Sequence, residues 1–506
     1  MVRAGSRCFS RFVTRLRFLF LMAVLPILLV VLYGLCLLFI LGFSAGQWQL
    51  TRLARRAYKQ GLPALPPAPA AWPGVLVQLP LYNEQNVVER IIDACAALDY
   101  PADRLHIQVL DDSNDATVAL AAARVAHHAA QGLRISHLRR PDRQGFKAGA
   151  LRFGLEGNTD EYVAIFDADF VPEADFLKRV IPYFLPDEKI GMVQTRWGHL
   201  NEDESLLTRL QAFGLNAHFL IEQVGRTFAG FFINFNGTGG IWRRACIDDA
   251  GGWHTDTLTE DLDLSYRAQL RGWRFLYRPD IVAPAELPAV MDALKSQQFR
   301  WTKGAAETAH KHLGQMWRSA QPLAVKLQAT FHLLNSSVYI VIMLMALLSV
   351  PLVFVRAQYY EYKGVFQLAS VFLLGFAPLI YYYYTAWRLA HPDKSLWRYP
   401  GFFLLFLAVS MGLALHNARA VILGWLGQRT PFVRTPKAGT GGPAKHRRYR
   451  TGGVGALVVL EGLLALYFAF GLAAGIYFND LGLLPFHSLL TIGFAAICYY
   501  SVRDDK

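Results

Sequence analysis

Asp167 and Asp169 flank Ala168 and close a short apolar run, Tyr162 to Phe166. Carboxylates in this arrangement can share a hard divalent cation, Mg²⁺ or Mn²⁺, with phosphate oxygens, because such cations prefer oxygen ligands. Taken alone, the pair is equally a polar strand end. A second acidic pair, Asp111-Asp112, closes another apolar run, Ile107 to Leu110. A carboxylate there can accept a hydrogen bond from a nucleobase N–H, or cap a helix together with Ser113 and Asp115. Lys147, in Gly145-Phe146-Lys147-Ala148-Gly149-Ala150, can meet a phosphate as a point charge. Thr259-Glu260-Asp261-Leu262-Asp263 offers a base able to deprotonate a hydroxyl, and Asp261 is the candidate. Glu260 stands beside it as a wall group, and Asp263 is expected on the helix surface. An acidic first helical turn is also what the helix dipole favours. In Gln297-Gln298-Phe299-Arg300-Trp301, Arg300 can clamp diphosphate oxygens and Trp301 can stack on the apolar face of a sugar.

The segments that must position these groups alternate in type. Val75 to Leu81 is a third short apolar run, and it meets Tyr82-Asn83-Glu84. Each run reads as a buried strand delivering polar groups at its C-terminal end, with helical patterns between, so a mostly parallel α/β sheet is expected. Ligands of such sheets bind beyond the carboxyl ends of the strands, which is where these acids fall.

The rest of the chain is apolar. Of 506 residues, 53% are hydrophobic and 18% charged, against about 25% charged in a typical soluble domain. The formal net charge of +13 does not indicate nucleic acid: no nucleic-acid-binding module is evident, and the basic residues crowd beside apolar runs, as topology signals do. Five cysteines, at 8, 36, 95, 246 and 498, form no CxxC pair and describe neither a disulfide framework nor a zinc site. No internal repeat is present.

These features divide the chain into a basic tail (1–17), a spanning helix (18–48), a linker (49–73), the α/β domain with interfacial helices at its end (74–319), membrane and interfacial helices (330–427), a basic loop (428–452) and two further spans (453–502). The loop carries Arg429, Arg434, Lys437, Lys445, Arg447, Arg448 and Arg450 without an acid, which places it in the cytosol. The run 401–415 is short for a span and continues into His416, Asn417 and Arg419, so it reads as an interfacial amphipathic helix. Five spans then put the α/β domain, the loop and the C-terminus in the cytosol. The N-terminus falls outside, against the pull of Arg3, Arg7, Arg11, Arg15 and Arg17.

In order along the chain, these elements resemble the D, DxD, D, QxxRW pattern of the inverting family-2 glycosyltransferases of the cellulose, chitin and hyaluronan synthase group. The stretches VQLPLYNE, QVLDDSND, FKAGAL, FDADFVP, VQTRWGHLNEDESLLTRLQ, FNGTGGIWRR, TEDLDLSYRAQLRGW and QQFRWTKG look most like the cellulose-synthase-like mannan and glucan synthases. The resemblance implies a GT-A fold inserted between transmembrane helices, holding a nucleotide-sugar of the UDP-glucose or GDP-mannose type. It implies Mg²⁺ or Mn²⁺ on Asp169 with Asp167, and base contacts from Tyr82, Glu84 and one of Asp111 and Asp112. Lys147, Asp167, Gln297 and Arg300 would complete the donor site. Asp261 would be the catalytic base with Glu260 and Arg300 assisting, while Trp301, Gly239 and Gly240 would face the acceptor. Phe432, Thr435 and Lys437 resemble a loop that closes over nucleotide, although Arg434 and Pro436 depart from its pattern. The implied product is a growing β-linked polysaccharide; the alternative is one or a few sugars added to a lipid. The implied partners are the donor, the glycan or glycolipid acceptor and the bilayer.

Overall fold

The computed structural model describes residues 2–359, 375–430 and 455–504, with backbone alone over 2–23. Phe432, Thr435 and Lys437 lie outside the described residues, as does the first part of the apolar run 365–387.

Seven strands form one sheet: β1 (Val75–Leu81), β2 (Leu105–Asp111), β3 (Ile135–Leu138), β4 (Tyr162–Ile165), β5 (Ile190–His199), β6 (Gly240–Arg243) and β7 (Arg274–Ala285), in the order β3-β2-β1-β4-β6-β5-β7. β1 runs parallel to β2 and β4, β2 to β3, and β5 to β7. The expected parallel sheet is therefore interrupted once, since β6 pairs antiparallel with both β4 and β5. The chain reverses ahead of β6 through Gly237 and Gly239, whose positive φ angles of 79° and 63° are left-handed values open to glycine. Because β1, β2, β4, β5 and β7 share a direction, their C-terminal ends lie along one edge.

Both faces of the sheet are covered, which is why its strands read as continuous apolar runs instead of alternating ones. One face packs Val88, Ile91 and Ile92 of the helix Val88–Ala96 and Val125 of the helix Thr117–Ala130. The other packs Leu151 and Leu155 of Phe146–Leu155 and Leu264 and Ala268 of Glu260–Leu270. The same cluster includes Ala54 and Ala57 of the N-terminal helix and Tyr382 and Ala386 of Phe376–Ala390. The sheet thus shares a core with elements that lead into the apolar part of the chain.

A single helix, Val2–Gln60, carries the N-terminal apolar run and the basic stretch Arg52 to Lys59. Among the described residues, four helices are long and apolar enough to cross a membrane: Val24–Gln60, Asn335–Gln358, Ala456–Tyr477 and Leu481–Arg503. The run 401–415 lies in a broken pair, Arg398–Gly412 and Ala414–Trp425, bent by 50° and able to count as a fifth span. Small residues let the first helix of this pair, Arg398–Gly412, meet the helix Leu484–Asp504 closely, as in membrane helix packing generally. A Cβ added at Gly493 would come 2.0 Å from the Ala408 carbonyl oxygen, and one at Gly412 would come 2.4 Å from that of Gly493.

Gly493→Val should therefore force the two helices apart and destabilise the fold by about 1–3 kcal/mol, the usual cost of overpacking. Thermal unfolding of the purified protein in detergent measures this, and a wild-type midpoint would show that the backbones do not meet there.

Candidate active site

Three strand ends deliver the first groups. After β1 the backbone turns at Asn83, whose φ is 56°. Its N–H donates to Ser113 Oγ at 2.8 Å, and its side chain pairs with Asn114, which ties the end of β1 to the loop after β2. After β2, Asp111 and Asp112 part. Asp111 is buried, accepts the Ser113 N–H at 2.9 Å and pairs with His137 at 2.9 Å. Burial alone would raise the Asp111 pKa, but these partners hold it below the ordinary value. Asp112 meets Arg140 through both carboxylate oxygens, at 3.0 and 2.5 Å, and faces the cleft. After β4, Asp167 donates its N–H to Thr238 Oγ1 at 2.9 Å, which fastens the acidic pair to the glycine turn.

Glu260 and Asp261 open the helix Glu260–Leu270, where the helix dipole favours negative charge. That helix is locked to Met291–Arg318. Thr259 sits where a Cβ on Gly304 would lie, 2.5 Å from its Cγ2. Glu307 accepts the Leu258 N–H at 2.8 Å. Asp263, expected on the surface, is instead fully buried, because its carboxylate is the knot between the two helices: His312 at 2.7 Å, Arg267 at 2.8 Å and Lys311 at 2.8 Å. Gln297, Arg300 and Trp301 are spaced i, i+3, i+4 on the second helix and so share one face.

These segments enclose a cleft of about 230 Å³. Of the residues named from sequence, Tyr82, Glu84, Asp112, Lys147, Asp167, Asp169, Glu260, Asp261, Gln297, Arg300 and Trp301 line it. Asp111 does not, because its pairs turn it inward. Gly239 and Gly240 also lie off the wall. The Gly239 carbonyl accepts from Thr195 Oγ1 at 2.6 Å, and a Cβ on Gly240 would press the Val193 carbonyl at 2.8 Å, so both glycines serve the turn into β6.

The cleft's electrostatics are set by crowded acids. Lys147 Nζ contacts Asp167 Oδ1 at 2.5 Å and the Gly237 carbonyl at 2.9 Å. Burial pulls its pKa down, but Asp167, Glu260 and Asp261 together hold it above the ordinary value. Burial, and then the neighbouring Glu260 charge, push Asp261 up to about 7, with Lys147 opposing. Burial likewise raises Glu260, with Lys147 opposing and Asp167 adding to the rise. Arg300 is brought down to about 10 by burial against the pull of Asp167, Glu260, Glu84 and Asp169, so it keeps its charge at neutral pH.

Sequence reasoning passed over several wall residues. The Arg143 guanidinium carbon lies 3.3 Å from the centre of the Tyr82 ring. Trp197 stands 6.2 Å from Trp301, centroid to centroid, forming an aromatic pair at the site. Glu286 pairs with Arg90 at 2.5 Å. Trp197 and His199 end β5 and Glu286 follows β7, so the strand-end rule that picked out Asp167 would have found all three once those strands were recognised. Burial holds His199 neutral, at a pKa of about 4.

Among the described residues, His254, Asp256 and Asp263 bring three ligand atoms within 4.8 Å of one another. The Lys311 ammonium already stands among them, 2.8 Å from Asp256, 2.8 Å from Asp263 and 3.3 Å from His254. That group is filled by a lysine, whereas Asp169 and Asp167, the latter also in contact with Lys147, line the open cleft.

A mixed sheet with acids gathered at its carboxyl edge is the GT-A type of sugar-nucleotide transferase fold, here flanked by helices long and apolar enough to span a membrane. Residues 73–304 match the family model described as "Glycosyltransferase like family 2", and the chain carries a family-2 glycosyltransferase domain. It is 44% identical over 275 residues to "Probable glucomannan 4-beta-mannosyltransferase 2" of Oryza sativa subsp. japonica, covering 54% of this chain and 47% of that protein. To "Glucomannan 4-beta-mannosyltransferase 2" of Arabidopsis thaliana it is 47% identical over 253 residues, 49% of this chain and 47% of the relative. The chain spans about half the length of the curated relatives it matches. Among solved structures, "Mannosyltransferase PcManGT from Pyrobaculum calidifontis in complex with GDP-Man and Mn2+" shares the fold, with a TM-score of 0.53 at 19% identity, over 79% of this chain and all of that one.

Asp263→Asn should leave Lys311, Arg267 and His312 facing a neutral amide and destabilise the protein by about 3–5 kcal/mol, as expected when a buried ion pair loses one partner. The Asp263 pKa is lowered in the fold, because His312, Arg267 and Lys311 outweigh the effect of burial. Its stabilisation is thus present above the ordinary carboxylate range and lost as pH falls. The gap in thermal midpoint between wild type and variant should narrow in acid; a gap constant with pH would contradict the assignment.

Proposed function

We propose that the chain is an integral membrane hexosyltransferase. It moves mannose or glucose from a nucleoside-diphosphate sugar, with inversion, onto the end of a β-linked polysaccharide. The observation that carries this reading is the convergence of Asp167, Asp169, Glu260, Asp261, Gln297, Arg300 and Trp301, from three separate segments, on one cleft. The names of the relatives favour mannose as the sugar and a glucomannan-type chain as the acceptor. The cleft faces the cytosol in this reading, on the side to which the basic loop 428–452 is drawn.

Asp167 and Asp169 suit a hard divalent cation, Mg²⁺ or Mn²⁺. Of the acids in the cleft, Asp112 is paired with Arg140 and Glu286 with Arg90, which leaves Glu84, Asp167, Asp169, Glu260 and Asp261 against the cations Arg143, Lys147 and Arg300. A diphosphate would deepen that negative surplus. A divalent ion on Asp169 and Asp167 would supply the missing positive charge and polarise the diphosphate.

The chain's own groups do the rest. Tyr82 and Arg143 offer flat faces to a base, and Glu84 and Asp112 can accept from its N–H groups. Arg300 holds the diphosphate and stabilises the negative charge that grows as the sugar–phosphate bond breaks. Trp301, with Trp197 beside it, holds the acceptor sugar so that its hydroxyl reaches the anomeric carbon. Asp261 removes the hydroxyl proton as the new bond forms on the face opposite the leaving group. An α-linked donor gives a β-linked product.

Asp261→Asn should lower kcat by about a hundredfold to ten-thousandfold, the worth of a positioned base, while GDP-mannose still binds in the presence of Mn²⁺. The test is to incubate the purified chain in lipid nanodiscs with radiolabelled GDP-mannose and UDP-glucose and to size the product. A long polymer supports the proposal, one or a few sugars on lipid supports the glycolipid alternative, and near-normal turnover by Asp261→Asn would remove Asp261 as the base.

Asp261 acts as a base only when ionised, so kcat/KM should fall as pH drops through about 7. Glu260→Gln removes a charge that raises Asp261 and should move this limb to lower pH. A pH–rate profile unchanged in Glu260→Gln would show that the two carboxylates do not interact.

A further inference from the structure

The helix Met291–Arg318 has two working faces. Gln297, Arg300 and Trp301 turn toward the cleft. Lys295, two residues before Gln297, is rotated about 160° from it around a helix axis that advances 100° per residue. It is nearly buried, and its ammonium meets both carboxylate oxygens of Glu461, at 2.8 and 2.9 Å, and Ser501 Oγ at 2.8 Å. The Lys295 carbonyl accepts from His416 Nε2 at 2.9 Å, and the His416 ring stands edge-on to Phe299, 5.7 Å away. Glu461 belongs to Ala456–Tyr477, Ser501 to Leu484–Asp504 and His416 to Ala414–Trp425. Three separate helices of the apolar bundle thus converge on one residue of the helix that carries the donor and acceptor groups.

Glu461 is the only charged residue in Ala456–Tyr477, and it is fully buried. An apolar cluster of Met291, Leu294, Leu413 and Ile497 joins the start of the helix Met291–Arg318 to Leu484–Asp504 and to the residue just ahead of Ala414–Trp425. Desolvating a lysine and a carboxylate there adds little net stability over an apolar pair of the same size. What the pair adds is direction: apolar side chains tolerate sliding and rotation, whereas a buried ammonium held at once by Glu461 and Ser501, on two different helices, narrows the rotation and height at which the contact is kept. An ionisable group inside a membrane helix is by default a functional feature.

We propose that Lys295 and Glu461 are positioning residues through which the membrane bundle sets the rotation and height of the Gln297/Arg300/Trp301 face over the cleft. The proposal rests on the transferase reading above for its activity readout. Neither residue touches substrate; they act through Arg300 and Trp301.

The test uses the full chain in nanodiscs with GDP-mannose and Mn²⁺, or with UDP-glucose if that is the donor turned over. It compares wild type, Lys295→Met, the near-isosteric Glu461→Gln, and the exchange Lys295→Glu with Glu461→Lys. Each single change should lower kcat by about tenfold or more per donor-binding molecule, with a smaller change in KM, because Arg300 and Trp301 would be misplaced for interactions that tighten in the transition state. The exchange should run faster than either single variant. Amide hydrogen exchange over residues 291–305 reads the same tie without turnover: it should quicken in both single variants and slow again in the exchange. An unchanged kcat in Glu461→Gln, a loss that merely tracks the fraction of chain able to bind donor, or an exchange variant no better than the singles would each overturn the proposal. A wild-type chain that turns over neither donor would defeat the transferase reading alone, and amide exchange would still decide the tie.

Discussion

Like charges in a partly desolvated cleft repel one another, and Asp167, Asp169, Glu260 and Asp261 are held in such a cleft by the fold. The protein meets this in two ways. Lys147 reaches in from the start of its helix to contact Asp167, and Arg300 enters from the helix Met291–Arg318 with Asp167, Glu260, Glu84 and Asp169 in its field. Burial, and after it the neighbouring negative charge that these cations do not neutralise, raises the pKa of Asp261 and Glu260. The strain of the site is therefore electrostatic, and it favours a carboxylate that gives and takes a proton near neutrality.

Such a site keeps its properties only if its walls do not drift apart. The strand-end acids are fixed by the sheet and by the bond from the Asp167 N–H to Thr238. The second wall is a pair of helices, joined at Gly304 against Thr259, at Glu307 against Leu258 and at Asp263 against Lys311, Arg267 and His312. Asp261 and Arg300 thus belong to one unit. That unit is continuous with the apolar helices, so packing far from the cleft bears on the distance between its walls.

Much of the site was legible in sequence. Asp112, Asp167, Asp169, Asp261, Arg300 and Trp301 each follow a strand-like run or share a helical face, and both are local properties that spacing reports. Where the reading failed, the cause was a partner remote in the chain. Asp111 is adjacent to Asp112 and chemically identical, yet His137 captures it. Asp263 belongs to the same acidic turn as Asp261, yet Lys311 and His312 draw it into a buried knot. Gly239 and Gly240 are required by the reversal into an antiparallel β6, which no local pattern announced.

By itself, the order of residues determined the kind of chemistry and the kind of surroundings. Oxygen ligands, a base, a guanidinium and an indole follow one another, between runs too apolar for water, because side-chain chemistry and hydropathy are properties of each residue and its near neighbours. Only the tertiary structure decided which of two neighbouring acids faces the cleft, that Arg143, Trp197 and Glu286 join it, and that Lys295 meets Glu461 across 166 positions of chain. Those outcomes depend on Coulomb and packing energies between groups far apart in sequence, and such energies exist only once the chain has brought the groups within a few ångströms of each other.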